Sequence, residues 1–201
     1  MKPAIDFYFD FSSPYGYLAS QKIDALAGKH GRTVDWHPML LGAAFKATGM
    51  QPLTDIPLKN EYSRHDFNRS ARFHGLEEFR MPSRFPIPTQ APARIVLWQK
   101  ASDPTHAAKL AKAFFHAYFR DDIDISSPDN AVAVAAKHGV DANAARAAIE
   151  DPEIKAALKR EVEEAIARGV FGSPFVFVDD EPFWGLDRFD QVERWLALGK
   201  F

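Results

Sequence analysis

The chain has 201 residues, 46% of them hydrophobic and 13% aromatic, with 17 phenylalanines and a formal net charge of -2. Length and composition support one globular domain, or one domain enlarged by an insertion, and exclude a disordered chain. The near-neutral charge gives no electrostatic case for a nucleic-acid partner. There is no cysteine, so neither a disulfide nor a protein thiol is available for redox work.

The opening, MKPAIDFYFDFSSPYGY, carries acidic residues inside its apolar stretch, which a secretory signal does not. No uncharged apolar run reaches the roughly 18 residues of a membrane span. These features predict a cytoplasmic protein with no membrane partner.

In chain order, Ala4 to Phe11 is aromatic and β-branched and predicts a strand. Ser12-Ser13-Pro14 then signals a helix start. Tyr15, Leu18, Ala19, Ile23 and Leu26, spaced by three and four, predict a helix from Pro14 to about Lys29, stopped at Gly31. Thr33 to His37 reads as a second strand, ended by Pro38. Residues 41–90 are rich in Pro and Gly, with one charged helix from Lys59 to His74 whose apolar contacts are Tyr62, Phe67 and Phe73. Ala-rich helical blocks follow: Ala91 to Ser102, Thr105 to Phe119, one from Ser127-Pro128 to near Gly139, one after Asp141, and one from Asp151-Pro152 to Gly169. Asp or Ser ahead of Pro marks several of these starts. Pro174 to Trp184, turning at Asp179-Asp180, is a hairpin. Asp187 then reads as the N-cap of a last helix that buries Phe189, Val192, Trp195 and Leu196. The order is β-α-β, a helical block, then β-β-α, without internal repeats. This is an α/β fold in which residues 1–40 and 170–201 form one unit and residues 41–169 are an all-helical insertion.

Three places could carry chemistry. Ser13 stands at a strand-to-helix junction, where unpaired N–H groups and the positive end of a helix favour an anion such as a thiolate. Its plainer role is that of an ordinary N-cap. Val170-Phe171-Gly172-Ser173-Pro174-Phe175 places a proline at the start of a strand, where a cis bond would expose the Ser173 backbone to an extended ligand; a plain turn is the alternative. Asp187 could cap its helix or also hold an ammonium group. No Gly-x-Ser-x-Gly elbow accompanies Ser13. The seven histidines show no i, i+4 pair and there is no Cys to join them, so the pattern offers no zinc site.

The element order is that of DsbA-like thioredoxin folds. Asp6-Phe7-Tyr8-Phe9-Asp10-Phe11-Ser12-Ser13-Pro14-Tyr15 resembles the opening of the 2-hydroxychromene-2-carboxylate isomerases and the related kappa-class glutathione transferases. So do Phe171-Gly172-Ser173-Pro174 and Trp184-Gly185-Leu186-Asp187-Arg188 at the other end. The resemblance covers nearly the whole chain, its two ends specific and its helical middle matched in pattern and length.

The resemblance implies a thioredoxin-like fold with a large helical insertion, glutathione as cofactor, and a homodimer. It implies that Ser13 is catalytic, that Pro174 follows a cis bond, and that the Ser173 backbone pairs with the cysteinyl part of glutathione. Asp187, with Leu186 beside it, would meet the γ-glutamyl amine, and Lys59 the glycyl carboxylate. Leu186 and Met50 replace polar residues usual in the family and so remove contacts to glutathione. The implied reaction interconverts a chromene carboxylate and the open trans-o-hydroxybenzylidenepyruvate, through glutathione thiolate addition, bond rotation and expulsion, in aromatic catabolism. A small aromatic carboxylate is then the substrate. A kappa-like transferase or peroxidase is one alternative, and a non-catalytic thioredoxin-fold binding protein is another, favoured by Leu186 and Met50. The absence of cysteine excludes a thiol–disulfide oxidoreductase.

Overall fold

A computed structural model describes residues 2–201 of the chain. The aromatic opening forms β1 (Ile5–Phe9), which pairs parallel with β2 (Val34–Pro38), placing Phe7 opposite Trp36. β1 also pairs antiparallel with β3 (Phe175–Val178), and β3 with β4 (Glu181–Trp184), giving the order β2-β1-β3-β4. Parallel β1 and β2 need a crossover, which α1 (Pro14–Ser20) and α2 (Ile23–Lys29) supply.

Side chains alternate across a strand, and here both faces of the sheet are covered. Ile5, Phe7 and Phe9 enter the main core with Val176 and Val178. Tyr8, Phe175 and Phe177 enter a smaller cluster with Met39, Ala44, Ala165 and Val170. This is why the strands read as nearly continuous apolar runs. In the main core Phe7 meets Trp36 edge-on at 4.9 Å, and Phe11 lies 5.0 Å from Phe115. Burying each such ring stabilises the fold by about 1.5–3 kcal/mol.

The segment 41–169 folds as α3 (Leu41–Thr48), α4 (Lys59–Phe73), α5 (Gln90–Ser102), α6 (Pro104–Phe119), α7 (Pro128–Lys137), α8 (Ala142–Glu150) and α9 (Pro152–Ala167); α10 (Phe189–Leu198) ends the chain. The capping signals act as read: Asp103, Ser127, Asp141 and Asp151 each accept a hydrogen bond from a first-turn N–H. Leu110, Phe114, Phe115 and Phe119 on α6 are fully buried and join the same core as β1. The helical segment is thus packed onto the sheet by shared aromatic residues.

Several expectations are corrected. The single helix from Pro14 to Lys29 is two helices, interrupted at Gln21 and Lys22. The hydroxyl of fully buried Ser20 donates to the Tyr17 carbonyl at 2.6 Å, the local back-bonding that bends helices. Leu41–Thr48 is helical where only irregular structure was read. Of the three apolar contacts read on α4, Phe67 is buried, but Tyr62 is 62% and Phe73 84% exposed, because one face of an isolated helix cannot be told from its periodicity alone. Asp187 is not an N-cap: residues Leu186–Arg188 form a short 3₁₀ turn, and the cap position of α10 is Arg188, which makes no side-chain capping bond.

Candidate functional site

Ser13 caps α1. Its extended backbone lets Oγ accept from the Gly16 N–H at 3.0 Å. Its hydroxyl donates in turn to the Ser173 carbonyl at 2.7 Å. Ser13 is 4% exposed, yet it lines the main cleft. The Ser173–Pro174 bond is cis, as is Phe85–Pro86, which the sequence did not announce. The Ser173 carbonyl is therefore not free: it holds the Ser13 hydroxyl. The Ser173 N–H donates to none of the described residues and remains available to an extended ligand. Gly16 lets the two segments touch, since a Cβ there would come within 2.8 Å of the Ser173 Oγ.

Asp10 joins these segments. Its N–H donates to the Ser173 Oγ at 3.0 Å, and its carbonyl accepts from Ser13 N at 3.0 Å. Its buried carboxylate accepts from Ser12 N at 2.7 Å, Leu41 N at 2.7 Å and the Thr89 hydroxyl at 3.2 Å. Burial pushes its pKa up to about 6, against those three donors, which pull it down. Asp10 lay inside the motif read from sequence, but nothing in the sequence distinguished its carboxylate from the neighbouring Asp6.

The cleft has a volume of about 1360 Å³, above the roughly 300–1,000 Å³ of ordinary small-molecule pockets. Ser13, Ser173, Pro174, Leu186 and Asp187 all line it, and so does Met50. Leu186 is buried, whereas the Asp187 side chain is 73% exposed and 3.6 Å from the Arg188 guanidinium. The indole of Trp184 lies over Gly172, where a Cβ would fall 2.2 Å from its ring nitrogen. Lys59 is exposed on the first turn of α4 and is not among the lining residues; the fold does not bring it to the other five.

Sequence reading missed further lining residues. The Tyr15 hydroxyl donates to Asp66 across the cleft wall. Burial and the adjacent Asp66 push the Tyr15 pKa up. Burial also raises Asp66, but hydrogen bonds from Tyr15 and Arg69 outweigh it and leave that carboxyl lowered. Lys22, His74 and Arg188 bring basic side chains to the lining, and Leu41, Phe45 and Leu53 bring apolar ones. Only contacts between remote segments reveal this division.

A second charged cluster sits at the other end of β1, where Asp6, Asp35 and His37 converge. Lys100 pairs with Asp35 at 2.6 Å, and Glu161 and Arg168 complete the group by pairing with His37 and Asp6. Burial disfavours charge on His37, but bonds to Asp35, Asp6 and Glu161 prevail and raise its pKa to about 11. Burial raises Asp35 while His37 and Lys100 bring it down to about 2. Its own cations neutralise this cluster, and it does not line the cleft.

A family profile described as a DsbA-like thioredoxin domain matches residues 4–197. The 2-hydroxychromene-2-carboxylate isomerase of Sphingobium xenophagum is 30% identical over 204 residues, spanning 98% of this chain and 99% of that protein. Glutathione S-transferase kappa 2 of Caenorhabditis elegans is 24% identical, spanning 98% and 92%. A solved 2-hydroxychromene-2-carboxylate isomerase superposes with a TM-score of 0.85 at 28% identity, covering 98% of this chain and 94% of that one.

Proposed function

The chain belongs to the DsbA-like thioredoxin family, among the 2-hydroxychromene-2-carboxylate isomerases and kappa-class glutathione transferases, and from that premise we propose a glutathione-dependent isomerase of the 2-hydroxychromene-2-carboxylate type. The observation that carries the proposal is the Ser13 hydroxyl at the N-terminus of α1, facing a cleft beside cis-Pro174. Among the described residues no helix is long and apolar enough to cross a membrane. A cytoplasmic homodimer acting in aromatic catabolism is part of the same reading.

The residues present fit glutathione. The free N–H of Ser173 suits an extended peptide, and the exposed Asp187 carboxylate in the cleft wall suits an ammonium group. When bound, glutathione supplies a thiolate able to add reversibly to a conjugated carbon. The Ser13 hydroxyl and the positive end of the α1 dipole favour that charge, because a donated hydrogen bond and a helix N-terminus both stabilise an anion. For this the Ser13 proton turns from the Ser173 carbonyl towards the cleft. Ser173 and Pro174 orient the peptide, Leu186 closes its flank, and the apolar α3 side with Trp184 excludes water from the aromatic substrate. Lys59 would contribute only by reaching in from outside the cleft.

Calorimetry with glutathione, followed by an absorbance assay of chromene-carboxylate ring opening, tests the reading. Tight binding with glutathione-dependent turnover is expected. Binding with conjugation of a generic electrophile but no isomerisation would instead indicate a kappa-like transferase. The absence of any glutathione binding would indicate a non-catalytic module, the role that apolar Leu186 and Met50 in the cleft would suit.

A further inference from the structure

We propose that Asp10 is a positioning residue, holding the Ser13 turn at a set distance from the two helix starts, at Leu41 and Thr89, that wall the cleft. Its carboxylate accepts hydrogen bonds from all three segments: Ser12 N, Leu41 N and the Thr89 hydroxyl. Its backbone binds both Ser13 and Ser173. One residue therefore spans the β1–α1 junction, the start of α3, the start of α5 and the loop before cis-Pro174. Leu41, Thr89, Ser13 and Ser173 all line the cleft, so this hub sets the spacing of its walls.

A carboxylate is the group this position needs. Ser12 and Leu41 each present a backbone N–H, which can only donate. An amide in place of the carboxylate leaves its NH₂ facing one of those donors whichever way it is turned. Oδ1 accepts both the Ser12 N–H and the Thr89 hydroxyl, and Oδ2 accepts the Leu41 N–H. A proton on Oδ1 can pass to a reversed Thr89 hydroxyl but weakens that oxygen as an acceptor for Ser12, and a proton on Oδ2 meets the Leu41 N–H, so protonation loosens the hub. The raised pKa of Asp10 brings that event to about pH 6. Tyr118 on α6 is a titratable group that feels the charge of Asp10. Burial pushes Tyr118 up, so it stays neutral through this range.

The primary test needs no ligand. Asp10→Asn should strip hydrogen-exchange protection from the Ser12 or the Leu41 amide, whichever faces the new NH₂, while the β1 amides stay protected. Unchanged protection at both Ser12 and Leu41, or a uniform loss across the sheet, would overturn the proposal. The second test rests on the glutathione reading and uses S-methylglutathione, which has no thiol to titrate. Its affinity for the parent should fall as pH drops through about 6 and be flat in Asp10→Asn. Thr89→Val, which removes one of the donors that lower the pKa, should move the midpoint to higher pH. If the parent fails to bind S-methylglutathione at any pH, the glutathione reading falls and the exchange result alone decides the role of Asp10. Binding with the same pH profile in parent and Asp10→Asn would overturn the role instead.

Discussion

Ser13 and Ser173 stand 160 residues apart in the chain and are joined by a 2.7 Å hydrogen bond from the Ser13 hydroxyl to the Ser173 carbonyl. The same oxygen of Ser13 accepts from Gly16 N. Ser13 is thus a helix cap and a tie between the two ends of the chain, and its single proton has two claimants once a thiolate is present.

Ser13→Ala should remain folded and lose about 1 kcal/mol of stability, as for other lost N-caps. Turnover should fall about tenfold or more, since a hydrogen bond to a charged group contributes about 1.5–3 kcal/mol. Denaturant melts paired with the isomerisation assay check this. Parent-like turnover would leave Ser13 as cap and tie alone.

Asp187→Ala should weaken glutathione binding by about 1.5–3 kcal/mol with almost no change in melting temperature. Asp187 is exposed and caps no helix, so stability has little to lose. Lys59→Ala, outside the cleft, should weaken binding less. Calorimetry on the two variants that ranks Lys59 first would show that α4 closes over the ligand.

Gly16→Ala sets two effects against each other. Alanine favours the helix by about 1 kcal/mol, but its Cβ would press within 2.8 Å of the Ser173 Oγ. That hydroxyl cannot swing away without releasing Asp10 N. Overpacking of this kind costs about 1–3 kcal/mol, so a lower melting temperature is expected. A variant as stable as the parent would mean that the junction opens easily.

The His37 cluster predicts a stability profile with a definite sign. A histidine whose pKa is raised on folding stabilises fully below its unfolded value, about 6.5, and that stabilisation is lost as pH rises towards about 11. Asp35, lowered to about 2, stabilises above its unfolded value of about 3.9 and fails as pH falls through the folded value. Stability should therefore decline on the alkaline side above neutrality, and His37→Gln should flatten that decline. Thermal melts between pH 6 and 10 would reveal it; an equal decline in both proteins would assign it elsewhere.

Much of the fold was legible because its signals are local. The aromatic opening strand, the Ser-Pro and Asp-Pro helix starts and the final hairpin each announce themselves within a few residues. What misled was also local. Ser20 looked like a neutral helix residue until its burial set it against the Tyr17 carbonyl. Tyr62 and Phe73 have the spacing of core residues, but the helix that carries them turns them to solvent. Asp187 has a cap's side chain, but the preceding 3₁₀ turn shifts the start of α10 beyond it.

By itself the sequence determined most element types, the order of the α/β fold, the absence of a protein thiol and the two ends, Ser13-Pro14 and Ser173-Pro174, at which a site could form. Propensity, capping and hydrophobic period act over one turn or one strand, so one chain segment suffices to read them. Tertiary structure decided that Ser13 binds the Ser173 carbonyl, that Asp10 hydrogen-bonds to four segments, that Leu186 and Asp187 reach the cleft and that Lys59 does not. These facts depend on the antiparallel pairing of β1 with β3 and on how the helices from α3 onward pack over the sheet. Such contacts join residues up to 163 positions apart, and no local pattern encodes which donor will face which acceptor across that distance.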